Sequence, residues 1–259
     1  MASTAIHPSA SVHPKAELGA GVQVGPFCVV ESSARLGDGC ILVSHVHIGP
    51  ETLAGPDNTF YPFAAIGLRT QDLKYAGEPT RLEIGAGNVF RENVTVNRST
   101  EAGGATMVGN SGNFLAYSHI AHDCFIGDHV IFSNNGTAAG HVRVEDYAVI
   151  GGLTAVHQFC RIGRHAMTGG CSKIVQDVPP YFLADGNPAR IRGLNQVGLE
   201  RRGFSPGAVR NLKQAYRILC RSRLNRQDAI ERIKGECQRD EHIDHLLTFV
   251  EGSERGIGR

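Results

Sequence analysis

Residues 117–132 read Tyr117-Ser-His-Ile120-Ala-His-Asp-Cys124-Phe-Ile126-Gly-Asp-His-Val130-Ile-Phe132, and the spacing within this stretch decides the fold. Large apolar residues return every sixth position (Ile120, Ile126, Phe132), and a small one follows each by four (Cys124, Val130). Carried outward in both directions, the same phase runs from Ile6 to Ile174. Every multiple of six in that span is Ala, Val, Ile, Leu or Phe except Asp72, Glu78 and Thr168. Glycine often comes directly after the apolar residue, as at Gly19, Gly25, Gly37, Gly127 and Gly163. A plug, a small companion and a turn every six residues describe a parallel β-solenoid. Three hexads make a triangular coil of 18 residues, and coils stack about 4.8 Å apart.

Composition narrows the classes. The chain has 259 residues, enough for one large domain and a small one. A net charge of +1 gives no general pull toward nucleic acid or membrane. No apolar run is long enough to span a bilayer, and the N-terminus has neither the basic nor the apolar region of a signal peptide. Seven cysteines without a CxxC pair suit a reducing cytoplasm better than a disulfide framework. Cys28, Cys40, Cys124 and Cys160 all take the small inward position of the repeat, which makes them core filling.

The rhythm breaks at two polar excursions, residues 67–83 and 97–107. Val178-Pro179-Pro180 ends the solenoid geometry, and a connection follows to Gly203. Ser205-Pro206 reads as a helix start. Val209, Leu212, Tyr216 and Leu219 have helical spacing, as do Ile230, Ile233 and Cys237, then Ile243, Leu246, Leu247 and Val250. The expected architecture is therefore mainly β: a parallel β-helix over 1–190, then a small α-helical domain over 191–259. Charge is uneven: between Arg161 and Arg226 there are 13 Arg and Lys against three acids. That asymmetry fits docking of an acidic protein or of phosphates.

Stacking by 18 places His122 over Gly140 and Gly140 over Gln158, and Asp123 over His141, with His157 and His119 close by. Two chemistries fit such a cluster. Histidines bind zinc, as in gamma-type carbonic anhydrases of the hexapeptide class. Alternatively, a neutral imidazole takes a proton from a hydroxyl near neutral pH. Asp123 would then orient His122 and stabilise its cation, and the Gly140 N–H would face a developing oxyanion. No Ser or Cys stands in the cluster as a nucleophile, which favours direct transfer over a covalent intermediate.

Four segments carry a closer resemblance: Gln71-Asp-Leu-Lys-Tyr-Ala-Gly-Glu-Pro-Thr-Arg81, His119-Ile-Ala-His-Asp-Cys124, Gly151-Gly-Leu-Thr-Ala-Val-His-Gln-Phe-Cys160 and Arg201-Arg-Gly-Phe-Ser205. Together they resemble the UDP-N-acetylglucosamine O-acyltransferase family of lipid A synthesis, over essentially the whole chain. The resemblance implies a left-handed solenoid, which periodicity alone does not give. It also implies transfer of an (R)-3-hydroxyacyl group from acyl carrier protein to the 3-hydroxyl of UDP-N-acetylglucosamine. No cofactor is implied beyond the carrier's phosphopantetheine arm. His122 becomes the base, Asp123 its partner and Gly140 the oxyanion donor, while His119, His141, His157 and Gln158 line the site. Gln71, Asp72 and Lys74 become hexosamine and phosphate contacts, and Asn195, Arg201 and Arg202 nucleotide contacts. Gly170 becomes an acyl-chain ruler whose small size implies a chain longer than ten carbons. Asn97, Pro188 and Val197 depart from the family pattern. A cytoplasmic homotrimer with sites between subunits is implied, with the basic 161–226 region facing the acidic carrier. A related lipid A N-acyltransferase is the nearest alternative, but it usually carries an extra N-terminal domain.

Overall fold

The computed structural model describes residues 3–258. Strands of mostly two residues visit three sheets in rotation, with eleven, nine and eight strands. Each coil lies parallel to the next. Phe114 pairs with Phe132 and Phe132 with Ile150, an 18-residue period. The plugs point inward and are lost to solvent: Phe60, Phe90, Phe114 and Phe132 are each 0% exposed. Their rings form a column with centroids 5.1, 4.8 and 5.7 Å apart. Burying a side chain of this size is worth about 1.5–3 kcal/mol, so the column is a main source of stability.

The two excursions obey the six-residue phase. Phe60 pairs with Phe90 across 30 positions and Phe90 with Phe114 across 24. They therefore add 12 and 6 residues to the 18 of a plain coil. Asp72 and Glu78 are the two phase positions of the first excursion, where no plug is needed. Ala102 is the phase position of the second; it is exposed, so its fit to the repeat is accidental. Thr168 is a true plug despite its hydroxyl, 0% exposed and donating nothing to solvent; its Oγ1 accepts from Gly151 N at 2.9 Å.

The four inward cysteines are all buried and unpaired. Burial pushes their thiols up, to about 12 at Cys124 and about 11 at Cys160, so they stay protonated packing groups.

The far end of the solenoid differs from the sequence reading. After Pro179-Pro180 the first sheet gains one more parallel strand, Phe182–Gly186, beside Met167–Thr168. Ala189–Leu194 then returns antiparallel to it. The prolines end the coil but not that sheet. Residues 181–203 are thus a hairpin and a short helix, α1 (Gln196–Arg201), rather than a plain connection. The expected boundary at 190 falls within the hairpin's second strand. The remaining helices are α2 (Pro206–Arg221), α3 (Arg226–Glu236) and α4 (Glu241–Glu251). Ser205 caps α2 as the sequence predicts, its side chain accepting from Ala208 N at 3.1 Å, an interaction worth about 1 kcal/mol. Helix α4 lies back on the solenoid. His245 Nε2 meets Glu145 Oε2 at 2.7 Å, and the Arg161 guanidinium covers the Phe249 ring at 4.1 Å.

Candidate active site

The prism has three corners, and one of them collects the chemistry. Both excursions leave the second sheet and rejoin the third, so they project from the corner between these sheets. His122 and Asp123 follow on the same corner, then Gly140 and His141, then Gln158. The corner backbone turns through the left-handed region at Asp123 (φ 59°), His141 (φ 61°) and Phe159 (φ 65°). Asp and His tolerate that region better than most residues. The 18-residue spacing aims their side chains the same way.

His122 is 6% exposed. Its Nδ1 lies 2.7 Å from Asp123 Oδ2. A carboxylate only accepts, so Nδ1 carries the proton and Nε2 is left as the basic nitrogen. The imidazole lies against Gly140: a methyl group there would fall 2.6 Å from Nε2. No other residue type leaves room for the ring in this pose. The Gly140 N–H donates to no acceptor among the described residues, whereas the flanking N–H groups of Ala139 and His141 are used in the coil ladder. His141 stands edge-on to His122 with ring centroids 5.2 Å apart, and its Nε2 is 3.8 Å from Asp123 Oδ2. It stacks in turn on Phe159 at 4.7 Å.

Burial alone would raise the Asp123 carboxyl. Hydrogen bonds from Ser99, His122 and the Thr100 N–H, with the charge of His141, outweigh it and hold the group below its ordinary value. Asp123 is thus an anion at neutral pH although its side chain is only 9% exposed. Burial, and then the neighbouring His122, push His119 down, and its Nδ1 meets Thr95 Oγ1 at 2.6 Å. His119 is therefore a neutral wall of the site. His122, Asp123 and His141 offer three ligand atoms within 4.8 Å of one another, a loose triangle for a metal ion. The His122–Asp123 hydrogen bond already occupies one side of it.

The excursions are fastened to this corner. Thr70 and Thr100 hydroxyls meet at 2.8 Å, and Asn97 Nδ2 donates to Arg69 O at 3.1 Å. Asn97 is thus a loop clasp. Gln71 and Lys74 are exposed on the first excursion, and Asp72 Oδ1 accepts from Lys74 N at 2.9 Å. His157 and Gln158 are exposed at the upper rim. His157 Nδ1 faces the Arg255 guanidinium at 3.1 Å. Ser99, Thr100, Thr106 and Phe159 belong to this constellation and are absent from the sequence reading.

Other expected site residues lie elsewhere on the same chain. Gly170 is on the corner between the first and second sheets, open to solvent. Asn195, Arg201 and Arg202 sit at the corner between the third and first. There Asn195 Nδ2 donates to His165 O at 2.9 Å while its Oδ1 caps α1. Arg202 covers the Tyr147 ring at 4.6 Å. One chain does not bring these groups to His122.

Comparison with known proteins sets this geometry in a family. Residues 15–50 match the bacterial transferase hexapeptide repeats. Residues 177–258 match the second domain of UDP-N-acetylglucosamine O-acyltransferase. The chain is 49% identical over 255 residues to the acyl-[acyl-carrier-protein]–UDP-N-acetylglucosamine O-acyltransferase of Thermodesulfovibrio yellowstonii, covering 98% of this chain and 99% of that one. It belongs to the UDP-N-acetylglucosamine O-acyltransferase family. Solved members superpose closely. The Bacteroides fragilis UDP-N-acetylglucosamine acyltransferase has a TM-score of 0.95 at 38% identity, over 98% of this chain and 100% of that one. The LpxA protein of Acinetobacter baumannii has a TM-score of 0.95 at 41% identity, over 98% and 99%. As in the O-acyltransferase family, the solenoid is a left-handed parallel β-helix. With relatives matched end to end, neither the N-acyltransferase nor the carbonic anhydrase alternative is favoured.

Proposed function

We propose that this protein transfers an (R)-3-hydroxyacyl group from acyl carrier protein to the 3-hydroxyl of UDP-N-acetylglucosamine, the first step of lipid A synthesis. The observation that carries the mechanism is the His122–Asp123 pair seated on Gly140. Nε2 of His122 takes the proton of the sugar hydroxyl as its oxygen attacks the thioester carbonyl. The carbonyl oxygen gains charge beside the Gly140 N–H. Collapse of the tetrahedral intermediate breaks the C–S bond, and the imidazolium returns the proton to the departing pantetheine sulfur. Asp123 fixes the tautomer and stabilises the cation. No metal or other cofactor is needed for these steps.

The spread of site residues over three corners supports a homotrimer in which neighbours complete each site. Gln71, Asp72 and Lys74 would then meet the hexosamine and its phosphate, and Arg201 and Arg202 the diphosphate, which suits guanidinium forks. Asn195 would reach the nucleotide while holding α1. Arg210, Lys213 and Arg217 form an exposed basic face on α2, suited to the acidic carrier. Charge reversal at Lys213 should raise KM for the carrier, and an unchanged KM at low salt would remove this docking face. Among the described residues no helix is long and apolar enough to cross a membrane. The buried, protonated thiols of Cys28, Cys40, Cys124 and Cys160 suit the proposed cytoplasmic setting.

The test is to incubate the protein with UDP-N-acetylglucosamine and a ladder of (R)-3-hydroxyacyl carrier proteins, with chelator present. A 3-O-acylated product is expected, preferentially from donors longer than ten carbons, because Gly170 leaves room for the chain. Gly170→Met should shift the preference to shorter donors. Absence of product from every donor would refute the assignment.

A further inference from the structure

Asp123 is held by a residue the catalytic pair does not include. Ser99 lies on the second excursion, 0% exposed, and its hydroxyl donates to Asp123 Oδ1. The direction of that bond follows from its partners. The carboxylate only accepts, and the Ser99 oxygen in turn accepts from Glu101 N at 3.1 Å. The Thr100 N–H adds a bond to Asp123 Oδ2 at 3.1 Å. Thr106 Oγ1 accepts from the Asp123 N–H at 2.8 Å. Gly104 lets the excursion fold this closely, since a methyl there would fall 2.5 Å from Ser99 Oγ. The buried hydroxyl is thus aimed at the far oxygen of the very carboxylate that faces His122.

We propose that Ser99 is a positioning residue of the acyl transfer: it fixes Asp123 Oδ1 so that Oδ2 faces His122 Nδ1, and it tempers the basicity of Nε2. This rests on the reading of His122 as the base. A carboxylate with one oxygen satisfied by Ser99 cannot rotate to offer the other edge. Its negative charge is also shared among Ser99, the Thr100 N–H and His122, so less of it stabilises the His122 cation. Removing the hydroxyl has two effects. Asp123 gains freedom to turn, and the charge left on Oδ2 favours protonated His122.

The experiment compares the wild-type assembly with Ser99→Ala, Ser99→Cys and Ser99→Thr. Two readouts are followed: the pH dependence of kcat/KM, and the NMR titration of the His122 ring in the unliganded protein. With Ala and Cys the acid limb of the rate profile and the ring titration both move to higher pH. kcat near neutrality falls about tenfold, with KM for UDP-N-acetylglucosamine within about twofold. Thr keeps the hydroxyl and returns both curves toward wild type. Cys keeps the shape without a strong donor, so folding and positioning effects separate. Unmoved titration and unmoved rate profile in both Ala and Cys would overturn the proposal. A moved ring titration with an unmoved rate profile would keep the Ser99–His122 coupling but sink the base reading beneath it.

Discussion

Gly140→Ala adds one methyl group against the face of His122. That carbon would sit 2.5 Å from Cε1, 2.6 Å from Nε2 and 3.1 Å from Nδ1. Ordinary contacts between such atoms are roughly 3.5–4.0 Å, so the ring must lift by about 1 Å. A lift of that size off the ring plane takes Nδ1 out of line with Oδ2, 2.7 Å away, and bends and weakens their hydrogen bond. Losing a bond to a charged partner costs about 1.5–3 kcal/mol. A displacement of about 1 Å in a reacting group costs on the order of a hundredfold, which lies inside the same range. Gly140 is not among the positive-φ glycines, so alanine suits its backbone and the coil should persist. The expected result is kcat down about a hundredfold, with the melting temperature and KM for UDP-N-acetylglucosamine little changed. Steady-state acyl transfer at saturating donor, with circular dichroism on the same samples, reads all three. A kcat within about threefold of wild type would refute the packing argument.

Three further outcomes follow from the same geometry. Asp123→Asn removes the anion that selects the Nδ1–H tautomer, so kcat should fall by about a hundredfold or more; retention of wild-type kcat at neutral pH would rule out an orienting role. Burial, with the positive charges of Arg202, Arg164 and His242, brings His165 down to about 4. Its ordinary value is 6.5, so the unfolded chain binds the proton more readily between these values, and folding stability must fall as pH drops from 6.5 toward 4. His165→Phe keeps the stack on Tyr147 and should flatten the acid side of a plot of Tm against pH; parallel curves for variant and wild type would contradict this. In the proposed homotrimer, mixing inactive His122→Ala chains with inactive Arg202→Ala chains should restore activity, because one intact site forms between them. Continued inactivity of verified mixed trimers would argue that each chain completes its own site.

Much of this architecture was legible because a solenoid turns sequence distance into spatial distance. Ile120, Ile126 and Phe132 reveal the plugs, and adding 18 to His122 finds Gly140. The same arithmetic from His141 reaches Phe159, whose ring stacks on the imidazole at 4.7 Å. Ser99 was hidden because the second excursion makes its separation from Asp123 24 rather than 18. Thr70 and Thr100 are 30 apart for the same reason, with the larger insertion between them. The inserted lengths are multiples of six, so the phase runs on unbroken and Ala102 passes for a plug. The hairpin after Pro180 escaped because its strands lie outside the hexad phase, and prolines at a coil end look like a full stop. The commitment of Asn195 to His165 and α1 depends on long-range folding that no local spacing encodes. The family resemblance nominates Gly170 and Arg202, and the folded prism places both on corners other than that of His122.

In the proposed mechanism His122 takes the proton from the acceptor hydroxyl. The most direct test of that step is the single-turnover rate of 3-O-acylation by His122→Ala, with both substrates bound and chelator present. General base catalysis contributes about 10²–10⁴, so a loss in that range is expected, with binding of UDP-N-acetylglucosamine preserved. A rate within about tenfold of wild type, with the variant folded and loaded, would contradict it.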